Sequence, residues 1–315
     1  MSQVIYSKMA VIGCGLIGSS VIHAARAAGV VERVSVADAS AEHRARIEAI
    51  GFADEVCADI ASAVQDADLV VFAVPVMAMG EAARASSARL KAGCTVTDVG
   101  SVKAAVAEAL AAALPAGVHL VPGHPIAGTE YSGPDAGFAA LFQKRWVILT
   151  PDETRTDGDY GRAVERLSAF WTGLGANVEK MDVRHHDLVL AVTSHLPHLI
   201  AYNIVGTAAD LEEVTQAEVM KYSAGGFRDF TRIAASDPTM WRDIFLANKE
   251  AVLEILGRFT EDLQALSRAI RWGEGDKLFD LFTRTREIRR GVIAAGQEIA
   301  EPNFGRDRDK PAPKG

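Results

Sequence analysis

Glycines, one histidine and a pair of arginines carry most of the chemistry legible in this sequence. In Val11-Ile12-Gly13-Cys14-Gly15-Leu16-Ile17-Gly18 an apolar strand runs into the pattern Gly-x-Gly-x-x-Gly. Gly13 permits a tight turn, and Gly15 removes the side chain that would block a pyrophosphate. Gly18 lets the following helix, Ser19 to Ala28, pack close to the strand, so that free N–H groups at the helix start, with Leu16 and Ile17 of the loop, face the cofactor. A second apolar run, Arg33 to Ala37, ends in Asp38, and no arginine follows it directly. That carboxylate can take both ribose hydroxyls of a dinucleotide and repels a 2′-phosphate. The cofactor expected is therefore NAD rather than NADP.

His124 stands in Gly123-His124-Pro125, directly after another apolar run. Glycine and proline fix the backbone around it, as a scaffold does when it holds a general base beside a nicotinamide. Ser101, in Asp98-Val99-Gly100-Ser101-Val102-Lys103, has two readings. It N-caps a helix beginning at Lys103, or its hydroxyl stands between the nicotinamide and a catalytic group. Further along, His195 and His198 in Ser194-His195-Leu196-Pro197-His198 share a helix face. With His185 and His186 nearby they raise a metal reading, but no third ligand stands at a fixed spacing and no metal is expected. Arg228 and Arg232, four apart beside Gly225 and Gly226, suit a dicarboxylate.

The elements that must position these groups alternate through the first half. Apolar runs at 9–12, 33–37, 69–74, 95–99 and 119–121 read as buried parallel strands, separated by helical stretches near 19–28, 41–50, 77–91 and 103–113. The result is an α/β Rossmann-type doubly wound sheet over residues 1–182. Gly13, Asp38, Val74 and Pro75, Ser101 and His124 all fall at its strands' carboxyl ends, where ligands bind. Strands at 146–150 and 177–181 are expected to extend the same sheet around a helix near 160–173. From about Val183 only helical periodicities remain, at 184–209, 212–224, 238–271 and 275–299. Residues 183–300 thus read as an all-α substrate-binding and dimerisation domain, and 301–315 as a disordered tail.

The chain has 315 residues, is 49% apolar and 23% charged, and carries a net charge of −8. That balance argues against nucleic acid or an anionic membrane as the partner. Three scattered cysteines give neither a disulfide framework nor a thiolate zinc site; Cys14 reads as a small filler. No leader-like apolar segment precedes the first strand and no run approaches membrane-spanning length, so a cytoplasmic enzyme is expected.

Taken together, GCGLIG at 13–18, DVGSVK at 98–103, GHPIAGTE at 123–130, SHLPH at 194–198 and GGFRDFTRIAASDPTMW at 225–241 make the chain resemble the prephenate and arogenate (cyclohexadienyl) dehydrogenases of tyrosine biosynthesis. The resemblance implies a homodimer with interlocking helical domains. It also implies NAD-dependent oxidative decarboxylation of prephenate, of L-arogenate, or of both. His124 would act as base with Ser101 orienting it or the nicotinamide, and Arg232 would clamp a substrate carboxylate. His195 and His198 would line the pocket with Ser194 and Thr129, Glu130 would gate it, and Trp241 would come from the partner subunit. Arg228 stands where other members carry lysine, which bears on side-chain discrimination. The mutase and regulatory domains fused to some relatives are not found, so feedback by tyrosine would act by competition at the active site. Two rivals remain. One is a β-hydroxyacid dehydrogenase with Lys249 of Asn248-Lys249 as base, which leaves His124 unexplained. The other is an NAD(H)-sensing protein without turnover, which would be expected to carry a basic DNA-binding motif.

Overall fold

Every residue of Tyr6–Ile12 except Ser7 is buried, which places this strand, β1, at the centre of the fold. The computed structural model describes residues 4–129, 131–215 and 225–294. Around β1 lie β2 (Val31–Ala37), β3 (Glu55–Cys57), β4 (Leu69–Phe72), β5 (Thr95–Asp98) and β6 (His119–Leu120), in the order β3-β2-β1-β4-β5-β6, all parallel. Helices α1 (Leu16–Ala28), α2 (Ala41–Ile50), α3 (Ile60–Val64), α4 (Met79–Ser86) and α5 (Ala104–Ala111) form the crossovers. Alternate residues of β1 feed two separate cores, Met9 and Val11 on one face and Ala10 and Ile12 on the other. This is the doubly wound arrangement the apolar runs predict. The short β3 and α3 escape such a reading because neither contains a full period of either pattern.

The strands expected to extend this sheet form a second one instead. Pro122 has no N–H to continue the β5–β6 ladder, and the chain leaves the main sheet there. It enters β7 (Gly123–Pro125), which pairs antiparallel with β8 (Trp146–Leu149); β8 pairs parallel with β9 (Asn177–Lys180). Helix α6 (Gly158–Gly173) joins β8 to β9, and its Phe170 and Trp171 are buried.

From Val183 onward the described chain is helical. Helix α7 (Val183–Leu190) passes through a π-helical turn, Ala191–His195, into α8 (Leu196–Thr215). Helix α9 (Gly225–Thr231) is followed by a 3₁₀ turn, Arg232–Ala235, and α10 (Pro238–Ala247). The predicted single helix over 238–271 breaks at Asn248, with φ −107° and ψ 30°, before α11 (Lys249–Arg271) and α12 (Gly275–Ala294). By packing, one unit runs through Lys249 and a second begins at Glu250. Residues 183–249 stay with the first because Trp241 and Ile244 cluster with Val102, and Asp187 accepts from Lys103 N and Ala104 N.

The stretch Val183–Asp210 is long and apolar enough to cross a membrane by length and composition, contrary to the sequence reading. Its buried polar side chains, His186, Asp187 and His195, belong to the network described next. Residues 301–315, Glu130 and most of the predicted 212–224 helix lie outside the described residues.

Candidate active site

At the nucleotide end, three glycines hold three different places. Gly13 has φ +89°, and a Cβ there would come within 2.6 Å of the Ala73 carbonyl oxygen, beside Val74. A Cβ on Gly18 would run into the Gly13 carbonyl, whereas one on Gly15 meets nothing within 4 Å. Gly15 is the N-cap of α1, and no side chain caps that helix. An open space before an uncapped helix N-terminus fits a pyrophosphate. Asp38 holds the loop: its carboxylate accepts from Cys14 N at 2.8 Å and from Ser40 N at 2.9 Å, with His43 Nδ1 at 3.3 Å. Arg44, six residues on, donates to the Asp38 and Ala39 carbonyl oxygens. Leu16 and Ile17 open α1, Val74 is half-buried and Pro75 is exposed.

The surroundings of His124 come from segments far apart in the chain. Its Nδ1 lies 2.9 Å from His186 Nε2, and His186 Nδ1 lies 2.8 Å from Asp187 Oδ1. Asp187 also accepts the backbone N–H groups of Lys103, at 2.7 Å, and Ala104, at 2.8 Å. Burial alone would raise the Asp187 pKa, but the His186 bond and these two N–H donors outweigh it and hold the carboxyl below its usual range. An ionised Asp187 only accepts, so His186 donates from Nδ1 and its Nε2 accepts from His124 Nδ1. His124 Nε2 is left with its lone pair. Burial, reinforced by His186, Lys103 and His195, holds His124 well below the ordinary imidazole range, so it is neutral at pH 7.

Beneath this relay Lys103, fully buried, ion-pairs with the equally buried Asp98 and donates to the Gly123 carbonyl at 2.7 Å. Asp98 accepts from Gly100 N and Gly123 N. One buried pair thus ties the end of β5 to the strand bearing the base. Asp187, not Ser101, supplies the first turn of α5 with acceptors, so the capping reading of Ser101 is set aside. Ser101 is half-buried.

On the helical side, the Trp241 ring stacks on His198 with centroids 3.6 Å apart and meets the His195 ring edge-on at 6.0 Å. Within the chain, α10 packs on Val102 through Trp241 and Ile244. His198 donates from Nδ1 to the Ser194 carbonyl across the π-helical turn. Burial lowers its pKa, and the Arg232 charge lowers it further against the Ser194 bond; Arg232 itself is exposed. Arg228 lies in α9, which ends at Thr231, and Arg232 opens the 3₁₀ turn that follows directly. Arg228, its side chain 79% exposed, pairs with Asp229. Thr129 accepts from Tyr131 N, and Glu130 lies outside the described residues. Lys249, the base required by the β-hydroxyacid reading, is exposed. Among the described residues, no group of three or more His, Cys, Asp or Glu is placed to hold a metal ion.

Sequence reasoning missed His186 and Asp187 as partners of His124. Their only signal is an adjacent His–Asp pair on the inward side of an amphipathic helix.

The chain matches the family model of the prephenate dehydrogenase nucleotide-binding domain over residues 21–180, and that of the prephenate dehydrogenase dimerization domain over 182–284. It belongs to the prephenate dehydrogenase family. A cyclohexadienyl dehydrogenase of Zymomonas mobilis is 44% identical over 285 residues, covering 90% of this chain and 96% of that protein. A prephenate dehydrogenase of Bacillus subtilis is 33% identical, over 93% of this chain and 77% of that one. Among solved structures, prephenate dehydrogenase from Aquifex aeolicus, in complex with hydroxyphenyl propionate and NAD+, superposes with a TM-score of 0.84 at 34% identity. That match covers 91% of this family member and 98% of the other chain.

Proposed function

We propose that this protein oxidatively decarboxylates a cyclohexadienol, prephenate and/or L-arogenate, with NAD+ as oxidant. The observation that carries the reading is the His124–His186–Asp187 relay, which leaves a neutral imidazole lone pair at the carboxyl end of a dinucleotide-binding sheet. The names of the relatives at 44% and 33% identity support the substrate class.

NAD+ held by the glycine loop and Asp38 supplies the hydride acceptor. His124 Nε2 takes the proton of the substrate's 4-hydroxyl as the C4 hydrogen leaves with its electron pair. The Asp187 carboxylate, acting through His186, stabilises the imidazolium that forms. Loss of the ring carboxylate as CO₂ returns its electron pair to the ring, and aromatisation makes the step irreversible. Arg232, whose charge acts on His198, takes a substrate carboxylate, and the Trp241 ring stacked on His198 walls the pocket. Ser101 orients His124 or the nicotinamide, and Ser194, Thr129, Glu130 and Arg228 complete the surroundings of the substrate.

The protein works as a homodimer, supported by the dimerization-domain match and by Ile270, Trp272, Phe279 and Phe282, each more than half exposed. Purified protein given prephenate and L-arogenate in parallel is expected to form NADH with at least one, the ratio of kcat/KM values naming the preferred substrate. NAD binding without turnover of either would overturn the assignment. Light scattering of the same sample is expected to give twice the chain mass.

A further inference from the structure

We propose that Asn248 is a positioning residue that fixes His195 as a hydrogen-bond donor, its buried Nε2–H directed at a substrate oxygen. Asn248 Nδ2 lies 2.9 Å from the Asp187 main-chain oxygen. A carbonyl oxygen only accepts, so the Asn248 group facing it is the NH₂. The same nitrogen lies 3.1 Å from His195 Nδ1 and presents its second N–H there. His195 Nδ1 must therefore accept. Burial, with His186 and His198 adding to it against Asp187, pushes the His195 pKa down to about 4, so the ring is neutral and carries one proton. That proton sits on Nε2.

His195 Nε2 is buried and has no hydrogen-bond partner, in a ring that is 0% exposed. Buried polar atoms are almost always paired, and an unpaired one is costly unless a ligand completes it. Trp241 Nε1, which can only donate, is also buried and unpartnered on the ring packed edge-on against His195. The helical side of the pocket thus offers donors, which suit a carboxylate or carbonyl oxygen.

Asp187 sets two histidines in opposite senses. Its carboxylate, through His186, leaves His124 Nε2 an acceptor; its main-chain carbonyl, through Asn248, leaves His195 Nε2 a donor. The helix breaks at this same residue, whose buried side chain serves both partners.

The donor role rests on the reading that His195 borders the substrate; the tautomer does not. Nitrogen NMR of the full-length protein labelled at histidine, without ligands, tests the tautomer directly, with the His195 signals assigned by their loss in His195→Gln. An unprotonated Nδ1 and a protonated Nε2 are expected, and the reverse overturns the proposal whatever the substrate. Asn248→Asp places an acceptor against Nδ1 and should invert the ring. KM for the turned-over substrate is then expected to rise about tenfold, with kcat within about threefold and NAD affinity unchanged. An inverted ring with an unaltered KM would overturn the donor role. Should the variant fail to fold, the wild-type spectrum still decides. Failure of the wild type to turn over prephenate or arogenate would sink the functional reading while leaving the tautomer result standing.

Discussion

The two ends of this site are built by different means. At the nucleotide end, the Gly13–Gly18 loop and Asp38 are bonded across 24 positions of one βαβ unit. Around His124 the partners lie 62 positions away at His186, and Asp187 in turn reaches 84 positions back to Lys103. A phosphate cradle is a property of local backbone. The tautomer of a base is a property of the whole fold. Substitutions at the first end should therefore change cofactor affinity, and substitutions at the second should change rate with the cofactor still bound.

The sharpest way to break that contrast is His124→Asn. The asparagine keeps a polar side chain of similar reach but cannot take the hydroxyl proton. Removal of a positioned base is expected to lower kcat by about 10²–10⁴ with the NAD dissociation constant unchanged. A variant with near-wild-type turnover would transfer the base role elsewhere and remove the distinction between the two ends. Asp187→Asn should act one step less strongly, because it reaches the substrate only through two imidazoles. A loss of about 10–100-fold in kcat is expected, again with NAD binding kept. Loss of NAD binding in this variant would show that the relay supports the nucleotide end as well.

The nucleotide end can be divided within itself. Gly15→Ala adds a methyl into open space, so thermal stability should hold while NAD binds about tenfold more weakly. Gly18→Ala drives a methyl into the Gly13 carbonyl, so its first effect should be a lowered Tm. Calorimetry on both variants, with and without NAD, measures the two effects separately. Equal losses of stability would mean that the space at Gly15 is not kept for a ligand.

The same asymmetry explains what could be read from the sequence. Most of the main parallel sheet was legible, though not β3, because β1, β2, β4 and β5 are runs buried on both faces, and the glycine spacing states its own geometry. The second sheet was not, because β8 and β9 carry strand signals that say nothing about which edge they join; Pro122 decides that. The π-helical turn at Ala191–His195 leaves the helical periodicity almost intact, so residues 184–209 read as one regular helix. Such turns recur where a helix must present side chains out of register, and here the turn delivers His195. His186, Asp187 and Asn248 carry no local mark. His186 read as a weak metal hint and Asn248 as the neighbour of a decoy lysine, because only the fold shows that they meet His124 and His195.

The smallest effect at neutral pH, and the one that joins both halves of the comparison, is proton uptake. His124, His186 and His195 are each held below the ordinary value of 6.5 by burial first, and His195 reaches about 4. The unfolded chain binds protons at these positions as pH falls through 6.5, while the folded chain refuses them. Stability is therefore fully present above pH 6.5 and is lost below it, by about 1.4 kcal/mol per pH unit for each imidazole still neutral in the folded state. Turnover has the same sign, since a protonated His124 Nε2 cannot accept the hydroxyl proton, so its acid limb should lie below pH 6.5. At the nucleotide end, His23 on α1 is half-buried and is likewise held below the ordinary value by burial, but it takes no part in the relay. The glycine loop and Asp38 bond to none of the three relay and pocket imidazoles, so NAD affinity should not follow kcat through its acid limb. Parallel pH profiles of Tm, kcat and NAD affinity test this, and an NAD affinity that follows kcat through its acid limb would show that the two ends titrate as one.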